Sequence, residues 1–501
     1  MPGRKSDGPT RPGTQRRFEQ IPKCPSGIRG LDKITEGGLP RGRPTLVCGK
    51  AGCGKTLLAM EFIARGARDF GEPGVFMSFE ETGDELAKNI ASLGFDLPAL
   101  IRRRKLAVDY VQVERSEIEE TGEYDLEGLF VRLGSMIDEI GAKRVALDTM
   151  ESLFSSMPNE GILRAEMRRL FRWLKDRGVT AIITGEQGRD GLMTRHGLEE
   201  YVSDCVIFLD HRVTEQNATR RLRIVKYRGS AHGTNEFPTL IDENGLSVLP
   251  VSSLGLNYPV SRRYVSTGIP DLDAMFEGKG YREGSSILVS GTAGTGKTSL
   301  AAAFADGVCR RGGRCLYFAF EESPMQILRN MASIGIRLER HVQKGLLRFE
   351  AARPTYHGLE GHLFSLHGAV DRFRPAAVVI DPITGLGSLG SENDIRLMLT
   401  RIIGHLKNLN TTALFTSLTA LGESLEQSEV GVSSLMDTWI LIHTIESANE
   451  QLRRFSIRKS RGMAHSTRVK EFVLSRRGIR LVDVDKGIAA PTGGRGPRKR
   501  P

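Results

Sequence analysis

A chain of 501 residues with 39% hydrophobic and 26% charged residues has the composition of a soluble globular protein and exceeds what one hydrophobic core usually spans, so two or three domains are expected. No uninterrupted apolar run approaches the roughly 18 to 20 residues that cross a bilayer, and the six cysteines are scattered without metal-ligand spacing, which suits a reducing cytoplasm. The net charge of +11 lies mostly in the tails, since residues 1–23 carry six Lys/Arg against two acids and residues 486–501 carry five and none; the nearly neutral body argues against a dedicated nucleic-acid groove.

Residues 1–21 lack the apolar core of a secretory signal and read as a flexible basic arm. A first domain is expected over residues 22–250. It carries "GKAGCGKT" at 49–56, the pattern of a P-loop, in which glycines let backbone N–H groups converge on phosphate oxygens at a helix N-terminus. Gly52, Cys53, Gly54, Lys55, Thr56 and Leu57 would form this cradle, with Lys55 on the β- and γ-phosphates and Thr56 on magnesium. Next comes "VFMSFEET" at 75–82, whose Glu80 and Glu81 stand where a carboxylate could take a proton from the attacking water or hydroxyl. Alternation along a strand would turn only one of the two toward the phosphate, and spacing does not choose between them. The polar, acidic stretch "ERSEIEETGEY" at 114–124 reads as an inserted surface loop. Asp148 ends the apolar run "RVALD", a position suited to holding magnesium through water. A helical pattern, "GILRAEMRRLFRWLKDRG", follows at 161–178. Near the end of the domain, Lys226 and Arg228 alternate on one strand face, which a neighbouring subunit could present to its nucleotide as a finger in trans.

Residues 251–262, "VSSLGLNYPVSR", form a linker rich in turn residues. Beyond it the first domain is written again over residues 263–482. "GTAGTGKT" at 291–298 supplies a second cradle, Ala293, Gly294, Thr295, Gly296, Lys297, Thr298 and Ser299, with Thr298 toward magnesium. "LYFAFEES" repeats the acid pair as Glu321 and Glu322, "AVVID" repeats the strand-end aspartate as Asp381, and Lys459 and Arg461 repeat the late basic pair. The numbering offset is 242 at the cradle lysines and 233 at the strand-end aspartates and the late lysines, so the copies are collinear apart from extra residues in the first. Short β-branched runs alternating with helices predict an α/β fold with two tandem P-loop domains and mainly parallel sheets. Residues 483–501 form a short basic tail.

One pair of stretches breaks the symmetry. "GVSSLMDTW" at 431–439 carries Ser433 and Ser434, whereas "GLEEYVSDC" at 197–205, aligned through Asp437 and Asp204, has Glu200 and Tyr201 in those slots. The tandem P-loops, the "FEET" and "FEES" strands, the "KYRGSAH" and "KSRGMAH" endings and the "EEYVSD" stretch together resemble the circadian clock protein KaiC family, over roughly residues 22 to 482. The resemblance implies a RecA-like double domain assembled as a two-tiered homohexamer with ATP and Mg²⁺ between subunits. It implies an ATPase in the first domain and, in the second, an autokinase and autophosphatase acting on Ser433 and Ser434. It prefers Glu80 and Glu321 as bases, with Glu321 also near magnesium. It places Ser92, Lys226, Tyr227, Arg228, Ser230 and His232 on the first nucleotide, and Arg453, Lys459, Ser460, Arg461 and His465 on the second. It puts residues 117–124 at a loop that binds a KaiB-like protein or a histidine kinase. The chain departs from the pattern in three places. Ser434 stands where threonine is usual. Cys53 stands in the first cradle, where it adds an oxidation liability. The short tail differs from the long one gripped by KaiA, which argues against dependence on KaiA. A DNA motor on the same fold and an ATP-glued scaffold are the alternatives. The neutral body and the serine pair weigh against the motor, and the retained acid pairs weigh against the scaffold.

Overall fold

The computed structural model describes residues 21–111, 126–154, 160–188, 203–214, 217–250, 258, 260–356, 358–419, 432–447 and 450–484. The acidic insertion, the Glu200 and Tyr201 slots, nearly all of the N-terminal arm, most of the linker and the C-terminal tail lie outside these. The chain divides into two compact units, one formed by Met1–His211 with Arg220–Ser252 and the other by Ser253–Pro501 with Arg212–Thr219.

Among the described residues, one sheet of nine strands makes up the first unit, apart from the parts of β6 and β7 within Arg212–Thr219: β1 Pro44–Gly49, β2 Gly74–Ser78, β3 Leu106–Tyr110, β4 Arg144–Asp148, β5 Thr180–Glu186, β6 Cys205–Thr214, β7 Asn217–Tyr227, β8 Glu236–Asp242 and β9 Gly245–Val248. Their order across the sheet is β3-β2-β4-β5-β1-β6-β7-β8-β9. The pairings from β3 to β6 are parallel, and β7 to β9 close the sheet as antiparallel ribbons. Every residue of β1, β2 and β4 is buried, as expected of parallel strands covered on both faces. Val47 and Phe76 point into one core cluster and Leu46, Val75 and Met77 into another, so alternation along each strand builds two apolar layers from one run of sequence.

The second unit repeats this with β10 Ser286–Gly291, β11 Cys315–Ala319, β12 Leu347–Ala351, β13 Ala377–Asp381, β14 Thr412–Leu418, β15 Thr438–Ser447, β16 Glu450–Ser460, β17 Lys470–Ser475 and β18 Gly478–Asp483. The order β12-β11-β13-β14-β10-β15-β16-β17-β18 is that of the first sheet, strand for strand. The helices that matter for the site are α1 Lys55–Asp69, α2 Gly83–Ala91, α3 Glu160–Asp176, α4 Lys297–Arg310, α5 Pro324–Ser333 and α6 Glu392–Asn408. The helical pattern read from sequence at 161–178 is α3. Helices α2 and α5 start on capping boxes, Thr82 with Glu85 and Ser323 with Gln326, which tie up orphan N–H groups directly after each acid pair.

Two expectations are corrected. Glu80, Glu81, Glu321 and Glu322 lie beyond the strands, since β2 stops at Ser78 and β11 at Ala319; strand alternation therefore does not orient them. Arg228 and Arg461 fall one residue past β7 and β16, although their N–H groups still bond to the carbonyls of Asp204 and Asp437 at 2.9 and 2.8 Å.

Candidate functional site

Each cradle is a turn from a parallel strand into a helix. Gly49 ends β1 opposite Leu209, and Gly291 ends β10 opposite Ile442. A Cβ there would lie 2.2 Å from the Leu209 oxygen or 2.1 Å from the Ile442 oxygen, so only glycine fits. Gly54 and Gly296 precede the helices with φ of 102° and 97°, in the left-handed region that glycine enters without strain. Lys55 folds back so that Nζ donates to the carbonyls of Gly49 and Lys50 at 3.0 and 3.1 Å. Lys297 does the same to Gly291 and Thr292 at 2.8 and 2.7 Å. Both lysines are buried, whereas Gly52, Ala293 and Gly294 are exposed and Leu57, Thr56 and Thr298 are half-buried. Ser299 is buried in the first turn of α4. Thr295 is buried and its hydroxyl donates to the Thr292 carbonyl at 2.9 Å.

In the first copy the slot of Thr295 is taken by Cys53, 3% exposed. Burial pushes its thiol above the ordinary range, with Lys55 pulling the other way, and the thiolate is the form that oxidises and alkylates. The oxidation liability read from sequence thus falls on a buried thiol. Iodoacetamide added to the folded protein is expected to leave Cys53 unmodified by intact mass, and to modify it after unfolding.

The acid pairs separate by partner. Glu80 Oε1 accepts hydrogen bonds from the Thr149 and Ser152 hydroxyls, both at 2.8 Å, whereas Glu81 Oε2 accepts from Asn89 on α2 at 3.0 Å. In the second copy Glu322 Oε2 accepts from Asn330 on α5 at 3.1 Å. Burial raises the Glu321 carboxyl above the usual glutamate range; Asp381 adds to the rise, and Lys297 opposes it. Glu80 thus lies near Asp148, and Glu321 near Asp381 and the cradle lysine Lys297, while Glu81 and Glu322 are engaged by the following helix. Asp148 and Asp381 end β4 and β13, both buried. Burial raises Asp148, and hydrogen bonds from Thr184 and Thr56 counter it. Asp381 accepts from Thr416 on one oxygen and from the Tyr317 hydroxyl on the other at 2.6 Å.

The late residues of each copy gather elsewhere. Tyr227 is buried, donates to the Gly38 carbonyl at 2.8 Å and lies beneath the Lys23 ammonium, 3.7 Å from its ring centroid. Ser230 accepts from that same ammonium at 2.6 Å, and His232 lies 6.3 Å from Tyr227, ring to ring. Lys226 is half-buried at the end of β7, Arg228 is exposed 3.9 Å from Asp204, and Ser92 is exposed at the end of α2. In the second copy a register shift between Trp439 and Ile440 makes the ladder skip Arg458, a bulge that re-aims the residues after it. Lys459 Nζ then donates to the Ser433 carbonyl at 2.7 Å, and Arg461 to the Ser434 carbonyl at 2.9 Å. Ser460 lies 3.0 Å from the Thr438 hydroxyl, Arg453 sits opposite Thr444, and His465 is 3.4 Å from the Met463 carbonyl. The serines themselves form a 3-10 turn, Val432–Leu435, with Ser433 half-buried and Ser434 exposed.

Sequence reasoning missed Thr184 and Thr416, which hold the two aspartates from the neighbouring strand. The signal was present, since the two threonines align in the repeat. Tyr317, Thr149 and Ser152 carry no such mark, because their aligned partners Phe76, Pro382 and Gly385 lack a hydroxyl.

The donor set fits a magnesium nucleotide. Around each cradle stand a threonine hydroxyl and carboxylates, all hard oxygen donors. Among the described residues, no group of three or more His, Cys, Asp or Glu could hold a metal alone. Duplicated sheet and duplicated cradle define a tandem P-loop ATPase of the RecA-like α/β class. The family described as "ATPase: KaiC" matches residues 24–253 and 265–486. The chain is 56% identical over 463 residues to the circadian clock protein KaiC2 of Synechocystis sp., covering 92% of this chain and 81% of that protein. It is 37% identical over 469 residues to the circadian clock oscillator protein KaiC of Parathermosynechococcus lividus, covering 93% and 86%. Against that of Synechococcus elongatus it is 35% identical over 478 residues, covering 95% and 92%. The chain belongs to the KaiC ATPase family. No helix among the described residues is long and apolar enough to cross a membrane.

Proposed function

We propose that this chain is a KaiC-type ATPase and serine autokinase and autophosphatase, assembled as a two-tiered hexamer with ATP and Mg²⁺ at subunit interfaces, and acting in timing or signalling in the cytoplasm. Strand direction carries the reading. β10 and β15 are parallel neighbours, with Ile287 opposite Thr438 and Gly291 opposite Ile442. The cradle follows the far end of β10, whereas Ser433 and Ser434 precede the near end of β15. Four residues at about 3.3 Å each put roughly 13 Å between them, beyond the 3–3.5 Å that group transfer needs. This spacing favours service of these serines by a neighbour's cradle over the second cradle of their own chain. The turn that carries the serines is also the one held by Lys459 and Arg461, the basic pair suited to reach a neighbour's nucleotide.

Bound ATP with magnesium would supply the transferable phosphoryl group. Lys297 and the backbone of residues 293–298 would hold the phosphates, Thr298 and Asp381 the metal, and Glu321 would take the serine proton. The two copies suit different work. Glu80 is tied by two hydroxyls, a rigid setting for activating water, whereas Glu321 has a raised carboxyl and its aligned partners Pro382 and Gly385 offer no such ties. A KaiB-like protein or a histidine kinase is the partner expected at residues 117–124. Incubation of the purified full chain with Mg-ATP is expected to form a ring by light scattering and to add phosphate by intact mass. A nucleotide-independent monomer, or no phosphate on Ser433 or Ser434, would sink this reading.

A further inference from the structure

Phe76 and Tyr317 occupy one slot in the two copies. Phe76 lies opposite Ala146 and Tyr317 opposite Val379, each two residues before its strand-end aspartate. Both rings are fully buried. The difference is one oxygen atom, and it is spent on Asp381, whose Oδ2 it holds at 2.6 Å while Thr416 holds Oδ1. In the first copy Asp148 keeps the Thr184 bond and takes a second from Thr56, the cradle hydroxyl read above as a holder of the metal itself, but Phe76 has no hydroxyl to give.

We propose that Tyr317 is a positioning residue of the second nucleotide site, which fixes the Asp381 carboxylate toward the water shell of the nucleotide's metal ion and makes the two sites of the chain unequal in their hold on that metal. A carboxylate gripped at both oxygens cannot swing about its terminal bond, so its remaining lone pairs keep one direction. Hydrogen bonds to an ionised acceptor are the short, strong ones, and partners that orient a metal's carboxylate govern how firmly the ion is held. Water is a poor substitute for this phenol, because the position is closed to solvent. The inference rests on the reading of Asp381 as a holder of magnesium.

The test reads metal binding rather than turnover. Full-length protein with Lys55→Ala, which silences the first cradle, is loaded with ADP and titrated with Mn²⁺ by electron paramagnetic resonance. Adding Tyr317→Phe is expected to raise the Mn²⁺ midpoint about tenfold, with metal-free ADP binding unchanged. In a Lys297→Ala background, Phe76→Tyr is expected to lower the midpoint of the first site several-fold. Phe76 shows that phenylalanine fits the slot; should Tyr317→Phe nevertheless fail to fold, the reciprocal variant decides alone. An unchanged Mn²⁺ midpoint in either folded variant overturns the inference, as does an equal loss of metal-free ADP binding, the mark of a merely structural phenol. Absence of phosphoserine in the wild-type protein would overturn the autokinase reading and leave this result standing.

Discussion

Glu80→Gln is expected to cut steady-state ATP hydrolysis roughly 10²- to 10⁴-fold while phosphate still appears on Ser433 and Ser434. Glutamine keeps the shape of the side chain and an oxygen for Thr149 and Ser152, which donate to Glu80 at 2.8 Å, but it cannot accept a proton. Structural damage is thereby kept apart from chemical loss. Glu81→Gln is expected to stay near wild type, because its carboxylate is used by Asn89 and an amide oxygen can serve Asn89 as well. The pattern should reverse in the second copy. Glu321→Gln is expected to suppress phosphoserine formation by a similar factor with hydrolysis largely kept, and Glu322→Gln, paired to Asn330, to do little. Phosphate release and intact mass measure the two activities on the same sample. Equal losses of both activities from Glu80→Gln and Glu321→Gln would mean that the copies are not specialised.

Mixing two disabled chains should restore what neither achieves alone. A Lys297→Ala chain keeps its serines but lacks the cation that the cradle offers to the phosphates. A chain with Ser433→Ala and Ser434→Ala keeps its cradle but has no acceptor. In a mixed ring, label is expected on the Lys297→Ala chain only, because the parallel pairing of β10 with β15 sets a chain's own serines a strand's length from its own cradle. A serine hydroxyl is a poor nucleophile without a base beside it, so distance alone should reduce transfer within one chain to background. Each phosphoserine adds about −1.5 to −2 charge beside Lys459 and Arg461, which grip the carbonyls of the same two residues. Their grip is the contact most exposed to change on modification. Label on any residue of the first unit, or none in mixed rings when the wild type is active, would refute transfer between neighbours.

Much of the architecture was legible from the chain alone because it is written twice. One glycine-rich turn is weak evidence, but two in register, each after an apolar run and before a helix, imply two strand-turn-helix units. The duplicated "RVALD" and "AVVID" runs likewise placed Asp148 and Asp381 at strand ends, where β4 and β13 stop. Apolar runs declare buried parallel strands, and glycine declares the few places where backbones approach within contact distance. These are local statements, so local sequence carries them.

Which acid of each pair faces the cradle was a different matter. The pairs lie past the ends of β2 and β11, where a period of two no longer applies, and the direction of each side chain is set by partners 69 to 72 residues away for Glu80. Cys53 read as a liability because type and position do not reveal burial. Lys459 and Arg461 could be placed on one face by alternation, but their bonds to the carbonyls of the serine turn follow from the folded chain alone. Tyr317 showed nothing in sequence beyond an aromatic among apolar neighbours; its meaning depends on Asp381, 64 residues on, lying on the adjacent strand. The sequence by itself determined two P-loop domains, their cradles and the serine pair, through periodicity and repetition. Only the tertiary structure decided which side chains meet at each cradle, because contact between distant strands depends on sheet order and register, which no local pattern encodes.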